Sequence, residues 1–151
     1  RRGDRWRKGE YGLVVCVWVY DGYGKVLMTK RAPGKSFAGT WENSGGAAQA
    51  GEDSLQAITR ELREETGIQA AKEEFNLLES ARDRYCHYDF YTLHRDIPIQ
   101  QITLQPGETD GVQWATFEKI HEMITEEKIC KIIAKQFIKH EPALKALCNI
   151  K

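Results

Sequence analysis

The segment GAAQAGEDSLQAITRELREETGI, residues 46–68, decides how this chain is read. Asp53 and Ser54 are both helix-capping residue types, Leu55, Ile58 and Leu62 recur on one stripe, and Gly67 supplies a stop. The spacing predicts a helix over 53–66 whose apolar face packs on a sheet. With 3.6 residues per turn, Glu61, Glu64 and Glu65 stand at i, i+3 and i+4 and converge on another face. Like charges at that spacing repel, so an unpaired trio adds nothing to stability. A hard divalent cation reverses that sign, and Mg²⁺ takes carboxylate oxygens, water and substrate phosphates as ligands. The alternative is a solvated acidic face on which Arg60 pairs with Glu64 one turn on.

Outward from this helix the pattern is that of a mixed sheet. Leu13 to Tyr20 is nearly all apolar and rich in Val, as for a strand buried on both faces. Asp21-Gly22-Tyr23-Gly24 reads as a turn and Lys25 to Arg31 as the returning strand of a hairpin. Residues 32–51 hold five Gly and one Pro and read as a long loop, a length usually kept for function. Downstream, Tyr85 to Leu93 alternates, with Cys86, Tyr88 and Phe90 on one face and Tyr85, His87, Asp89 and Tyr91 on the other. One face is expected to be core and the other to line a pocket. Val112 to Thr116 reads as a short strand. Ile129, Ile132, Ile133 and Phe137 then mark a helical tail that covers the sheet.

Bulk properties fit one domain over residues 1–151. The 41% apolar content is enough for a real core, and the length is short for two domains. The 22 Lys and Arg balance 22 Asp and Glu, so no overall field draws the chain to nucleic acid or an anionic membrane. No stable nucleic-acid partner is expected, and an anionic ligand must be held locally. Arg1, Arg2, Arg5, Arg7 and Lys8 crowd the start and read as a solvated end. The chain opens on Arg rather than Met, so upstream residues are expected to be missing. Cys16, Cys86, Cys130 and Cys148 are scattered without metal-ligand spacing and read as reduced thiols. With no apolar run of membrane-spanning length and no leader, a cytoplasmic location is expected.

The order Gly46, Glu52, Arg60-Glu61-Leu62, Glu64-Glu65, Gly67-Ile68 resembles the signature of the Nudix (MutT-like) hydrolases, matched at every specified position. The resemblance implies an α/β fold, an α/β/α sandwich around a mixed β-sheet. It further implies that Glu61, Glu64 and Glu65 bind Mg²⁺ or Mn²⁺ with the Gly45 or Gly46 carbonyl, while Arg60 and Glu52 orient the helix face. The implied reaction is cleavage of a pyrophosphate bond in a nucleoside diphosphate linked to another moiety, by water attack on phosphorus. The general base in similar enzymes comes from the box or from a later loop, which leaves Glu64 and Glu108 as candidates.

The substrate side is read from residue chemistry. Lys30, Arg31 and Lys35 flank the Gly-rich segment and are candidates for phosphate contacts, and Tyr85 and Tyr91 for stacking on a base. The partner is expected to be a small nucleotide or other diphosphate, with a homodimer among the assemblies expected. Gly24 to Arg31 followed by Trp41 to Gly46 also resembles the branch that includes isopentenyl diphosphate isomerases. Those enzymes need a Cys and a His just before the box glutamate, where this chain has Gly45 and Ala47, and their box is degenerate. A complete box favours hydrolysis. An isomerase-like enzyme or a non-catalytic nucleotide binder is the alternative.

Overall fold

The structure is a computed structural model that describes residues 12–149, so the basic cluster from Arg1 to Lys8 lies outside the described residues. Seven strands form one mixed sheet: β1 (Gly12–Tyr20), β2 (Lys25–Arg31), β3 (Trp41–Glu42), β4 (Ser44–Ala47), β5 (Asn76–Arg82), β6 (Cys86–His94) and β7 (Thr109–Thr116). Three α-helices, α1 (Ser54–Thr66), α2 (Phe117–Thr125) and α3 (Lys131–Leu147), cover its two faces. The expected α/β/α sandwich is present. β1 is central and runs parallel to β6 over its full length, from Gly12↔Cys86 to Tyr20↔His94.

Alternation along β1 splits the core. Val15, Val17 and Val19 join Ala57, Ile58 and Leu62 of α1, while Trp18 joins Phe117, Ile120 and Phe137 of α2 and α3. Trp18 donates its indole N–H to His140 Nδ1 at 3.0 Å and meets Phe137 edge-on with centroids 5.7 Å apart. That bond satisfies the polar end of a fully buried indole.

The expected β1–β2 hairpin forms, pairing antiparallel at Tyr20↔Val26, but the strands then diverge and β2 runs beside β7 from Lys25↔Thr116 to Arg31↔Thr109. Two sequence expectations need correction. The flank of β1 that the divergence opens is filled by residues expected to be loop, since β4 pairs Ser44–Ala47 with Val17–Val14. Glycine allows that approach. A Cβ on Gly45 would overlap the Val15 carbonyl oxygen and lie 2.9 Å from the Cys16 Cα. Gly45→Ala therefore forces backbone against backbone and is expected to cost about 3 kcal/mol, read as a lowered denaturant midpoint with an unchanged slope.

The tail helix is also rotated from its expected register. Ile129 precedes α3 and Ile132 is exposed, whereas Ala134, Phe137, His140 and Leu144 make the buried stripe. Among the described residues no helix is long and apolar enough to cross a membrane.

Candidate active site

α1 begins as its sequence directs. The Asp53 carboxylate accepts from Gln56 N at 2.8 Å, and the Gln56 side chain accepts from Asp53 N at 2.8 Å, a reciprocal cap. Ser54 Oγ and Tyr91 Oη are 2.6 Å apart, which ties the first turn to β6. At the far end Gly67, at φ 78°, donates to the Arg63 carbonyl. Fixed at both ends, the helix presents Glu61 and Glu65 toward β4.

Arg60 organises this face. Its Nε and Nη2 donate to the two Glu52 oxygens at 2.7 and 2.9 Å, its Nη1 to Glu61 and Glu64 at 3.1 Å each, and Nη2 also to the Ala47 carbonyl at 3.3 Å. All five guanidinium N–H groups are thereby engaged. The bonds from Arg60 hold the Glu52 carboxyl below its usual range and raise the Arg60 pKa.

The three signature carboxylates line one cleft but differ in their partners. Glu64 is turned onto Arg60 and is the most exposed of them. Among the described residues no group of three or more His, Cys, Asp or Glu side chains is drawn together as a ready cation site. Glu65 accepts from Gly45 N at 3.2 Å, while Glu61 lies beneath Gly46 and accepts from Arg60. Burial raises the pKa of both; Arg60 opposes the rise at Glu61, and the Glu61 charge adds to it at Glu65. The same burial, with the charges of Glu42, Glu65 and Glu61, pushes Cys16 up to about 12, so its thiol stays protonated at neutral pH.

Neighbouring carboxyls whose pKa values are both raised can be compensated by a shared proton or by a cation. The donor set, hard oxygens beneath a glycine backbone, suits a divalent ion. Gly46 leaves the room: a Cβ there would sit 2.6 Å from a Glu61 carboxylate oxygen. That neighbour is the end of a flexible side chain. Gly46→Ala is thus expected to leave stability within about 1 kcal/mol of the parent while moving Glu61. Activity should fall at least tenfold with an unchanged melting temperature, the opposite balance to Gly45→Ala.

These residues floor a cleft of about 490 Å³ lined by Ala47, Gln49, Glu61, Glu64, Glu65, Gln105 and Glu108. A cavity of about 30 Å³ adjoins it, sharing Glu65 and Glu108 and adding Arg31, Lys35, Glu42, Gly45 and Thr109. Glu108, from the turn before β7, therefore stands at the cleft, where it pairs with Lys35.

Of the other sequence candidates, Arg31 reaches this region but is bound to Glu42 and Ser36. Lys30 does not line it; its ammonium lies 5.8 Å from the Trp41 ring centroid and 3.8 Å from Asp110. Tyr91 is 5% exposed, packed edge-on to Phe75, and so offers no face for stacking. Tyr85 is 60% exposed, precedes β6 and borders neither cavity. Both sheet faces at β6 are covered, so alternation could not tell a pocket wall from core. Sequence reasoning missed Glu42, Gln49 and Gln105. For Glu42 the available signal was Arg31, a cation at the end of the neighbouring strand that needs a partner.

Fold and site together define an α/β protein with a carboxylate-bearing helix under a glycine strand, facing an open polar cleft. The chain belongs to the Nudix family, because the NUDIX domain profile matches residues 10–136. It is 29% identical over 130 residues to an uncharacterized Nudix hydrolase of Listeria innocua, covering 81% of this chain and 73% of that protein. It is 34% identical over 108 residues to the CTP pyrophosphohydrolase of Escherichia coli, covering 71% and 78%. The crystal structure of DR0079 from Deinococcus radiodurans superposes with a TM-score of 0.73 at 24% identity, over 92% of this chain and 86% of that one. The protein is a Nudix hydrolase, an enzyme of pyrophosphate bonds in nucleotide-linked compounds, and proteins of this family generally use divalent metal ions.

Proposed function

We propose that this enzyme cleaves a pyrophosphate bond in a nucleoside diphosphate linked to another moiety, using Mg²⁺ or Mn²⁺ and water attack on phosphorus. The observation that carries the reading is the set Glu61, Glu64 and Glu65 lining one polar cleft, with Arg60 bonded to Glu61 and Glu64. Glu61, Glu64, Glu65 and the Gly45 or Gly46 carbonyl are the residues that would hold the cation. When bound, it neutralises phosphate charge and acidifies water. Arg60 and Glu52 fix the helix face, and β4 fixes Glu65 through the Gly45 N–H. Glu64 or Glu108 accepts the proton from the attacking water. With Gly45 and Ala47 where an isomerase needs Cys and His, the site is read as hydrolytic.

A panel of nucleoside triphosphates, nucleoside diphosphates, nucleotide sugars, ADP-ribose, dinucleoside polyphosphates and isopentenyl diphosphate, read by product mass with and without Mg²⁺, tests this. Cation-dependent release of phosphate or a nucleoside monophosphate is the expected result. Isomerised isopentenyl diphosphate, or ligand binding without turnover, would overturn it. Glu64→Gln and Glu108→Gln then separate the two bases: the true base loses about 10²-fold or more in kcat with KM nearly unchanged.

A further inference from the structure

Two of the three non-glycine residues with a left-handed backbone, among the described residues, border one cavity of about 440 Å³. Glu127, at φ 59°, follows α2 at the position where a helix end favours glycine. Its N–H reaches the Ile124 carbonyl at 3.0 Å and Lys128 N the Met123 carbonyl at 2.8 Å, the bonds of a Schellman cap. Phe37, at φ 55°, lies between β2 and β3, and its carbonyl accepts from Thr40 N at 3.1 Å and Thr40 Oγ1 at 2.7 Å. A bulky side chain in this region crowds its own backbone. Such strain persists where the surroundings use it. At Phe37 the result is a ring that is 66% exposed.

Ile132 borders the same cavity and is 65% exposed. Single exposed apolar side chains are ordinary on a monomer, but two beside one cavity mark a contact surface. The charges at its rim are unmatched. Neither the Lys131 nor the Glu127 side chain has a hydrogen bond or ion pair among the described residues. Each also carries the sign that its helix end disfavours. α3 begins on the Lys131 cation with no acid in its first turn, and α2 is followed by the Glu127 anion with no base in its last turn. A face that holds one unmatched cation and one unmatched anion beside two exposed apolar side chains is complementary to a copy of itself, as a two-fold contact requires.

We propose that this face is the interface with a second copy of the chain. In a two-fold contact the Phe37 ring of each protomer enters its partner's cavity against Ile132, and each Lys131 pairs with the partner's Glu127. The pairing brings an anion to the start of α3 and a cation to the end of α2, the signs those helix ends lack. Burying two large apolar side chains per protomer supplies the attraction, and the ion pairs set the register. The contact also grips the segment between β2 and β3. There Lys35 borders the 30 Å³ cavity beside the cleft, and Ser36 accepts from Arg31. Assembly thus holds in place a loop that frames the candidate active site.

Sedimentation velocity over a concentration series tests the interface. The parent should pass from monomer to dimer as concentration rises, with amide protection over residues 36–40 and 127–132 rising in step by hydrogen exchange. Phe37→Gly should weaken the dimer about tenfold or more. At monomeric concentrations its melting temperature should equal or exceed the parent's, since glycine accepts φ 55° without strain. Lys131→Glu and Glu127→Lys should each weaken the dimer about tenfold, through the loss of two exposed pairs, and the double variant should return to within about threefold of the parent. A double variant no tighter than the singles would overturn the pairing, and a dimer untouched by Phe37→Gly would overturn the face. A parent that stays monomeric throughout, even one that binds vesicles of anionic phospholipid or an acidic peptide, would overturn the assignment altogether. None of these results bears on hydrolysis, which the substrate panel reads separately.

Discussion

Glu65→Gln is expected to remove nearly all turnover, by about three orders of magnitude in kcat, because several kcal/mol of transition-state stabilisation pass through the cation this carboxylate would hold. The substitution is close to isosteric, and an amide cannot supply the charge. Its effect on the fold runs the other way. Burial, then the charges of Glu61 and Glu42, oppose the ionisation of Glu65. In cation-free protein the parent carries that conflict and the variant does not, so the melting temperature of Glu65→Gln in chelator should equal or exceed the parent's. Added Mg²⁺ should stabilise the parent by RT ln(1 + [L]/Kd) and the variant much less. The measurement pairs single-turnover kinetics with thermal unfolding at several Mg²⁺ concentrations. Retained turnover would remove Glu65 from the cation set. Lost turnover with a cation-free melting temperature well below the parent's would mean that the carboxylate serves the fold.

The helix carrying this residue was fully legible in the sequence, because its signals are local. Asp53, Ser54, Gly67 and the stripe through Ile58 and Leu62 act within one element, and the reciprocal Asp53–Gln56 cap forms where that chemistry predicts a start. The mixed sheet was legible too, through the apolar run of β1. What could not be read was set by distant partners. Residues 44–47 look like loop because glycine is poor in strand interiors. They are a strand because Gly45 alone fits against Val15. Tyr91 sits on the polar-looking side of its strand, yet Phe75 and the first turn of α1 close over it. The expected phosphate contacts were divided by strand alternation: adjacent residues point to opposite faces, so Arg31 meets Glu42 while Lys30 meets Trp41. Three box acids share a helix face by spacing, but only side-chain partners decide where each carboxylate turns, and Arg60 claims Glu64.

Arg60→Gln is the substitution that should damage both fold and activity most evenly. The Arg60 side chain is 13% exposed and its carboxylate partners Glu52 and Glu61 are 17% and 15% exposed. Removing a largely buried cation and leaving its anions in place costs about 3 kcal/mol, because glutamine can replace neither the charge nor the forked contact with Glu52. Lysine restores charge without the fork, so Arg60→Lys should recover part of the stability and less of the activity. Activity should fall about 10- to 100-fold, the range for a residue that orients metal ligands rather than touching substrate. The defect should show as a raised Mg²⁺ requirement. The pH dependence has a definite sign. Glu52 has its folded pKa lowered by the bonds from Arg60, so its contribution to stability is present above the ordinary glutamate range and fades as pH falls through the lowered value. The stability gap between parent and Arg60→Gln should therefore be widest near neutral pH and narrow on acidification. A gap that stays constant to low pH would mean that Arg60 acts through packing of its stem and not through its charge. In that case Arg60→Met should recover the stability that Arg60→Lys does not.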